Sequence, residues 1–160
     1  MVESNSRVAL VTGASRGVGA STASQLAKRG YDIAVNYHSK RARAEEVASV
    51  VRALGQRALT VQADLTSAAD VVAMMQAIRL DFGHIDALVL NASGGLEKGK
   101  SADYAMELNL TAQVRVVDCA LPLMPQGSHI VFVTSHMAPF LCRKRYARSL
   151  RACRGEQARG

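Results

Sequence analysis

The residues best suited to chemistry lie in Thr12-Gly13-Ala14-Ser15-Arg16-Gly17-Val18-Gly19, directly after the apolar run Val8-Ala9-Leu10-Val11. A strand that feeds a helix through a glycine-punctuated turn aims several backbone N–H groups, and the positive end of a helix dipole, at one spot. That chemistry is anion binding, and in an α/β fold the usual anion is the pyrophosphate of a dinucleotide. Gly13 can take a backbone angle closed to other residues, Gly17 lets the main chain approach phosphates, and Gly19 allows helix and strand to pack closely. With Ser15, Arg16 and Val18, these glycines are the first group of candidate cofactor contacts.

A second group follows the next apolar stretch, where Asn36-Tyr37-His38-Ser39 runs into Lys40 and Arg41 without a carboxylate. An acid at this place commonly accepts hydrogen bonds from the ribose hydroxyls of NAD, and its absence removes a repulsion against a 2′-phosphate. Arg16 in the neighbouring turn adds a guanidinium able to clamp that phosphate through two hydrogen bonds. The expected cofactor is NADP(H) in preference to NAD(H). Other chemistries find little support. The four histidines (His38, His84, His129, His136) lack metal-ligand spacing, and Cys119, Cys142 and Cys153 are widely spaced, so no metal is expected. His136 stands beside Ser135, but no Asp/His/Ser arrangement with nucleophile spacing accompanies it.

The elements that must position these residues alternate in type. Strands are expected at Arg7–Thr12, Tyr31–Tyr37, Arg57–Gln62, Ile85–Leu90 and His129–Thr134. Helices are expected at Val18–Lys28, ended by Gly30, and at Arg41–Leu54, ended by Gly55, with Ala44, Val47, Val51 and Leu54 on one face. A third helix, Ser67–Leu80, begins with a Ser67…Asp70 cap and carries apolar Val71, Met74, Met75 and Ile78, which read as core filling. A glycine-rich loop, Asn91–Lys100, leads to a helix over Asp103–Leu121, which Pro122 and Pro125 bring to an end. Right-handed crossovers turn this alternation into an α/β doubly wound parallel sheet, Rossmann-like, of five strands in order 3-2-1-4-5. Ligands of such sheets bind beyond the carboxyl ends of the strands, at the switch point between strands 1 and 4.

Charge divides the chain in two. Residues 1–140 hold 13 Lys and Arg against 12 Asp and Glu, whereas residues 141–160 hold 7 against 1. The first stretch reads as a cofactor-binding domain and the second as a basic, irregular tail. With no aromatic stacking platform beside that charge, a nucleic-acid partner is not expected. No apolar run reaches the roughly 18 to 20 residues that span a membrane, and no apolar signal segment opens the chain. A membrane partner is therefore not expected, and the expected location is cytoplasmic.

Thr12-Gly13-Ala14-Ser15-Arg16-Gly17-Val18-Gly19 fits T-G-x-x-x-G-x-G and resembles the short-chain dehydrogenase/reductase family, over residues 7 to about 135. The resemblance implies hydride transfer between a nicotinamide and a small-molecule carbonyl or alcohol, in a family that is usually homo-oligomeric. A basic residue at Arg16 often meets the 2′-phosphate in that family. Ala63-Asp64-Leu65 matches its A-D-[LV], whose aspartate contacts adenine. Leu90-Asn91-Ala92-Ser93-Gly94 partly matches N-N-A-G, with Asn91, Ala92 and Ser93 on the cofactor path and Leu90 in place of the first Asn. Leu108-Asn109-Leu110-Thr111 resembles N-L-T, whose Asn holds a water of the proton relay, and Ser135 falls where the family's Ser binds the substrate carbonyl.

The resemblance then fails. The family's acid/base Tyr lies roughly a dozen residues after the Ser, with a Lys four residues beyond it that lowers the phenol's pKa and holds the nicotinamide ribose. Tyr146 is the only Tyr after Ser135, it lies slightly close, and Leu150 occupies the lysine position. The only Lys after Ser135 is Lys144, upstream of Tyr146. The basic tail therefore reads as a truncated or frame-shifted end, with catalysis impaired and normal assembly in doubt. The alternative is a non-catalytic NAD(P)-binding remnant or pseudoenzyme.

Overall fold

The computed structural model describes residues 6–94, 104 and 106–134. Ser135, Tyr146, the tail at 141–160 and most of the expected loop at 91–100 lie outside the described residues. Five parallel strands, β1 (Arg7–Val11), β2 (Tyr31–Tyr37), β3 (Ala58–Gln62), β4 (Ala87–Leu90) and β5 (His129–Phe132), form one sheet in order β3-β2-β1-β4-β5. The pairings are in regular register, with Leu10 beside Ala34 and Leu88, and Leu88 beside Ile130.

Alternate residues of each strand supply opposite faces, as strand geometry requires. Ala9, Val11, Ile33, Val35, Tyr37, Ala87 and Val89 face helices α1 (Gly17–Lys28) and α2 (Arg41–Ala53) through Ala23, Ala27, Ala44 and Val51. Leu10, Ala34, Val61, Leu88 and Leu90 face α3 (Ala68–Asp81) and α4 (Ala112–Ala120) through Val71, Met74, Ile78, Ala112 and Val116. Helices on both sides explain why β1, β2 and β4 are nearly continuous in apolar residues. α1 approaches closely because its buried stripe, Gly19, Ala23 and Ala27, is made of small residues at successive turns.

Several details differ from the sequence pattern. α2 buries Ala44, Ala48 and Val51, while Leu54 is exposed, because the helix stops at Ala53 and Gly55 turns the chain away at φ 83°. The helix expected over Asp103–Leu121 is not one α-helix where it is described. Glu107–Thr111 is a π-helical turn, α4 follows, and Leu121–Leu123 closes as a 3₁₀ turn with Pro122 inside it. Met74, Met75, Val71 and Ile78 are buried as expected, and Ser67 Oγ accepts the Asp70 N–H at the start of α3. β5 stands at one edge of the sheet and exposes Ile130, Val131 and Phe132.

Candidate functional site

The carboxyl ends of β1 and β4 are locked together by one hydroxyl. Thr12 is fully buried, and its Oγ1 accepts N–H groups from Asn91 at 2.9 Å and Ala92 at 3.0 Å while donating to the Val89 carbonyl at 3.3 Å. Asn91 returns the contact, its Nδ2 donating to the Thr12 carbonyl at 3.0 Å and the Gly13 carbonyl at 3.2 Å. From β2, Asn36 Oδ1 accepts the Gly13 N–H at 3.1 Å, and the Asn36 carbonyl accepts the Ala14 N–H at 2.8 Å. The turn is thus held from three strands before any ligand arrives, which is how a rigid anion site is made.

Within the turn, Gly13 has φ 61°, and a Cβ there would lie 2.9 Å from the Ala92 Cα. Gly17, at φ 58°, faces open space. Gly19 is packed from behind, where a Cβ would meet Asn91 Nδ2 at 2.5 Å and the Gly13 carbonyl oxygen at 2.7 Å. The first turn of α1 contains no acidic residue, and its N-cap, Arg16, makes no side-chain cap. Its leading N–H groups therefore keep their positive character toward the open side.

That open side is a cleft of about 680 Å³, within the usual range for small-molecule sites. Of the expected cofactor contacts, Gly13, Ser15, Arg16, Gly17, Val18, Asn36, His38, Ser39, Asp64, Leu65, Asn91, Ala92 and Ser93 line it. Two do not stand among its lining residues. Gly19 lies beneath the turn, and Tyr37 points into the core on the α1–α2 side, 4% exposed. The amides of Asn36 and Asn91 border the cleft but are engaged with the protein, so both serve first to shape it.

Charge in the cleft is uneven. Arg16, Lys40 and Arg43 line it, with Asp64 as the one carboxylate among the described lining residues and His38 Nε2 at 3.6 Å from it. Asp64 Oδ1 accepts from the Thr66 hydroxyl at 2.7 Å and the Thr66 N–H at 2.9 Å. The Thr66 hydroxyl bond is the largest influence on the Asp64 carboxyl; burial pushes it up by less, and the Thr66 N–H and the nearby His38 add to the downward side, so it lies below the usual aspartate value. Arg43 did not stand out in the sequence, although a signal for it exists. Lys40, Arg41 and Arg43 crowd the start of α2 with no acid in its first turn. That arrangement opposes the helix dipole, and a bound anion would offset it.

Asn109 sits on the π-helical turn and forms a reciprocal pair with Gly94, accepting its N–H at 3.2 Å and donating to its carbonyl at 2.8 Å. Tyr104 and Leu108 line the cleft nearby. Among the described residues, no group of three or more His, Cys, Asp or Glu could hold a metal ion. No helix among them is long and apolar enough to cross a membrane. Chemically, the arrangement can receive an extended ligand with one anion at the α1 N-terminus, a second among Arg16, Lys40 and Arg43, and a flat apolar part against Ala63, Leu65 and Leu108.

Comparison with known proteins points the same way. The family model described as short chain dehydrogenase matches residues 7–155. The hydroxynaphthalene reductase arp2 of Aspergillus fumigatus is 34% identical over 137 residues, covering 81% of this chain and 50% of that protein. The 3-oxoacyl-[acyl-carrier-protein] reductase FabG of Staphylococcus aureus is 38% identical over 122 residues, 72% of this chain and 50% of that protein. Among solved structures, a short chain dehydrogenase from Burkholderia cenocepacia in complex with NADP superposes with a TM-score of 0.75 at 34% identity, covering 83% of this chain and 57% of that one. The angucycline C-6 ketoreductase LanV with bound NADP gives 0.74 at 34% identity, over 82% and 56%. The chain spans about half the length of the curated relatives it matches.

Proposed function

Since the chain belongs to the short-chain dehydrogenase family, a family of oxidoreductases, we propose that its cleft binds NADP(H) in preference to NAD(H). The observation that carries this reading is the cationic corner of Arg16, Lys40 and Arg43 beside an acid-free α1 N-terminus. A 2′-phosphate would meet the guanidinium of Arg16 from the turn and the cations that open α2, while the pyrophosphate would meet the N–H groups after Gly13. Asp64 and Leu65 would face the adenine. The relatives with bound NADP support the same preference.

The bound nicotinamide would supply or accept the hydride, and the substrate would be a small-molecule carbonyl or alcohol. Asn109 would order a water, Ser135 would hold the carbonyl, and Tyr146 would exchange the proton. A second reading, cofactor binding without useful turnover, is favoured by one feature of the sequence. Leu150 stands where the family's Lys would tune the phenol, and leucine carries no charge to do so.

Calorimetric titration of the full chain with NADP⁺ and NAD⁺ tests the binding. Arg16→Ala should weaken NADP⁺ by about 1.5 to 3 kcal/mol, the range for hydrogen bonds to charged groups, and leave NAD⁺ nearly unchanged. Equal losses for both cofactors would overturn the assignment.

A further inference from the structure

One helix touches both walls of the cleft. From α4, Arg115 Nη1 donates to the Leu65 and Thr66 carbonyls, both at 3.1 Å, and its Nη2 lies 3.2 Å from Glu107 Oε1 on the π-helical turn. Gln113, two positions earlier, donates through Nε2 to the Ala92 carbonyl at 2.7 Å and the Leu108 carbonyl at 3.1 Å. Residues two apart point about 200° from each other around an α-helix, so one helix can reach two separate loops. Arg115 reaches the loop after β3, and Gln113 reaches the loop after β4.

Neither residue stands among those lining the cleft, and each acts on it through the wall that it holds. Both make contacts that are hard to replace. The planar guanidinium divides two carbonyls and a carboxylate among fixed donors, a pattern that the single ammonium of lysine does not reproduce. Gln113 is 4% exposed, and its Oε1 has no hydrogen-bond partner among the described residues. A buried acceptor left without a donor costs stability, yet a glutamine stands here rather than an apolar residue. What its amide supplies is the grip of Nε2 on Ala92 and Leu108.

We propose that Arg115 and Gln113 are positioning residues, holding the Asp64–Leu65 wall and the Asn91–Ser93 wall of the cofactor cleft respectively from α4. Their effect passes through backbone carbonyls, so it is felt as wall placement rather than as lost ligand contacts. The consequence for the ligand rests on the NADP(H) reading above. Arg115 should govern affinity for the adenosine half, and Gln113 affinity for the remainder.

Amide hydrogen exchange on the ligand-free full chain tests the brace independently of that reading. The amides to follow are already paired. Asp64, Thr66 and Ser67 donate to Asp70 Oδ2, Asp64 Oδ1 and the Asp64 carbonyl, while Asn91 and Ala92 donate to Thr12 Oγ1. Arg115→Met should speed exchange across residues 64–67 on the order of tenfold and leave residues 91–94 unchanged. Arg115→Lys should fall between it and wild type. Gln113→Met, of similar size, should show the reverse pattern. Exchange within twofold of wild type at 64–67 in Arg115→Met, or acceleration spread evenly over all five strands, would overturn the proposal. With ligands, Arg115→Met should weaken both 2′,5′-ADP and NADP⁺ about tenfold, whereas Gln113→Met should weaken only NADP⁺. A wild-type chain that binds neither ligand would remove the NADP(H) reading, and the exchange pattern would still decide the brace.

Discussion

Gly19→Ala is the sharpest probe of how the turn is built. Gly19 is the third residue of α1 (Gly17–Lys28), where alanine would ordinarily be favoured over glycine by about 1 kcal/mol. Here a Cβ would lie 2.5 Å from Asn91 Nδ2, 2.7 Å from the Gly13 carbonyl oxygen and 3.0 Å from the Ala14 Cα. The Asn91 amide can move, but only by losing its bonds to the Thr12 and Gly13 carbonyls, worth about 0.5 to 1.5 kcal/mol each. The Gly13 and Ala14 atoms are backbone, held by Asn36, so overpacking against them costs about 1 to 3 kcal/mol. Setting the propensity gain against these losses leaves a net destabilisation of about 1 to 5 kcal/mol. Urea unfolding followed by circular dichroism measures it. In an Asn91→Ala background the nearest clash is gone, so the same substitution should cost about 1 to 3 kcal/mol less, a coupling that a double-mutant cycle reads directly. If Gly19→Ala proves neutral or stabilising, the close packing of α1 on the β1–β4 junction is not what selects glycine there.

Thr12→Val keeps the shape of the side chain but leaves the Asn91 and Ala92 N–H groups without their acceptor, and it should cost about 2 to 4 kcal/mol in the same unfolding experiment. The Asp64 carboxyl, held below the usual aspartate value chiefly by the Thr66 hydroxyl, should titrate low by carboxyl-carbon NMR, and Thr66→Val should move its midpoint upward. Because the folded pKa is depressed, whatever stability this adds is complete above the unfolded-state pKa and is lost as pH falls through the folded one. With the His38 side chain 71% exposed and that of Asp64 43% exposed, the His38–Asp64 contribution stays small. With NADPH and a panel of ketones and aldehydes, turnover should fall about 10² to 10⁴ below ordinary enzyme rates, the usual loss when a tuned acid/base is absent. Ordinary turnover that disappears in Ser135→Ala would show that Leu150 is no impediment.

Much of this protein is legible in its sequence because the decisive signals are local. An apolar strand, a glycine turn and a helix can be read at 8–28 because each depends on neighbours only a few residues away. The strand order follows from alternation and the handedness of crossovers, and the sheet observed is β3-β2-β1-β4-β5. The cleft's floor could be anticipated for the same reason, since ligands of such sheets meet the residues that immediately follow strands. Other features are set by contacts between distant parts of the chain. Asn36 and Asn91 read as ligand contacts from their positions, yet the fold occupies their amides with β1 and its turn. Tyr37 ends the same strand as Asn36 but falls on the other side of the pleat, so it enters the core. Arg43 comes to the cleft only because α2 packs across β2 and β3, and the π-helical turn at Glu107–Thr111 breaks a periodicity that looked like one helix. A side chain's type and spacing state what it can bond to, whereas its partner is chosen by the elements that packing brings within about 3 Å of it.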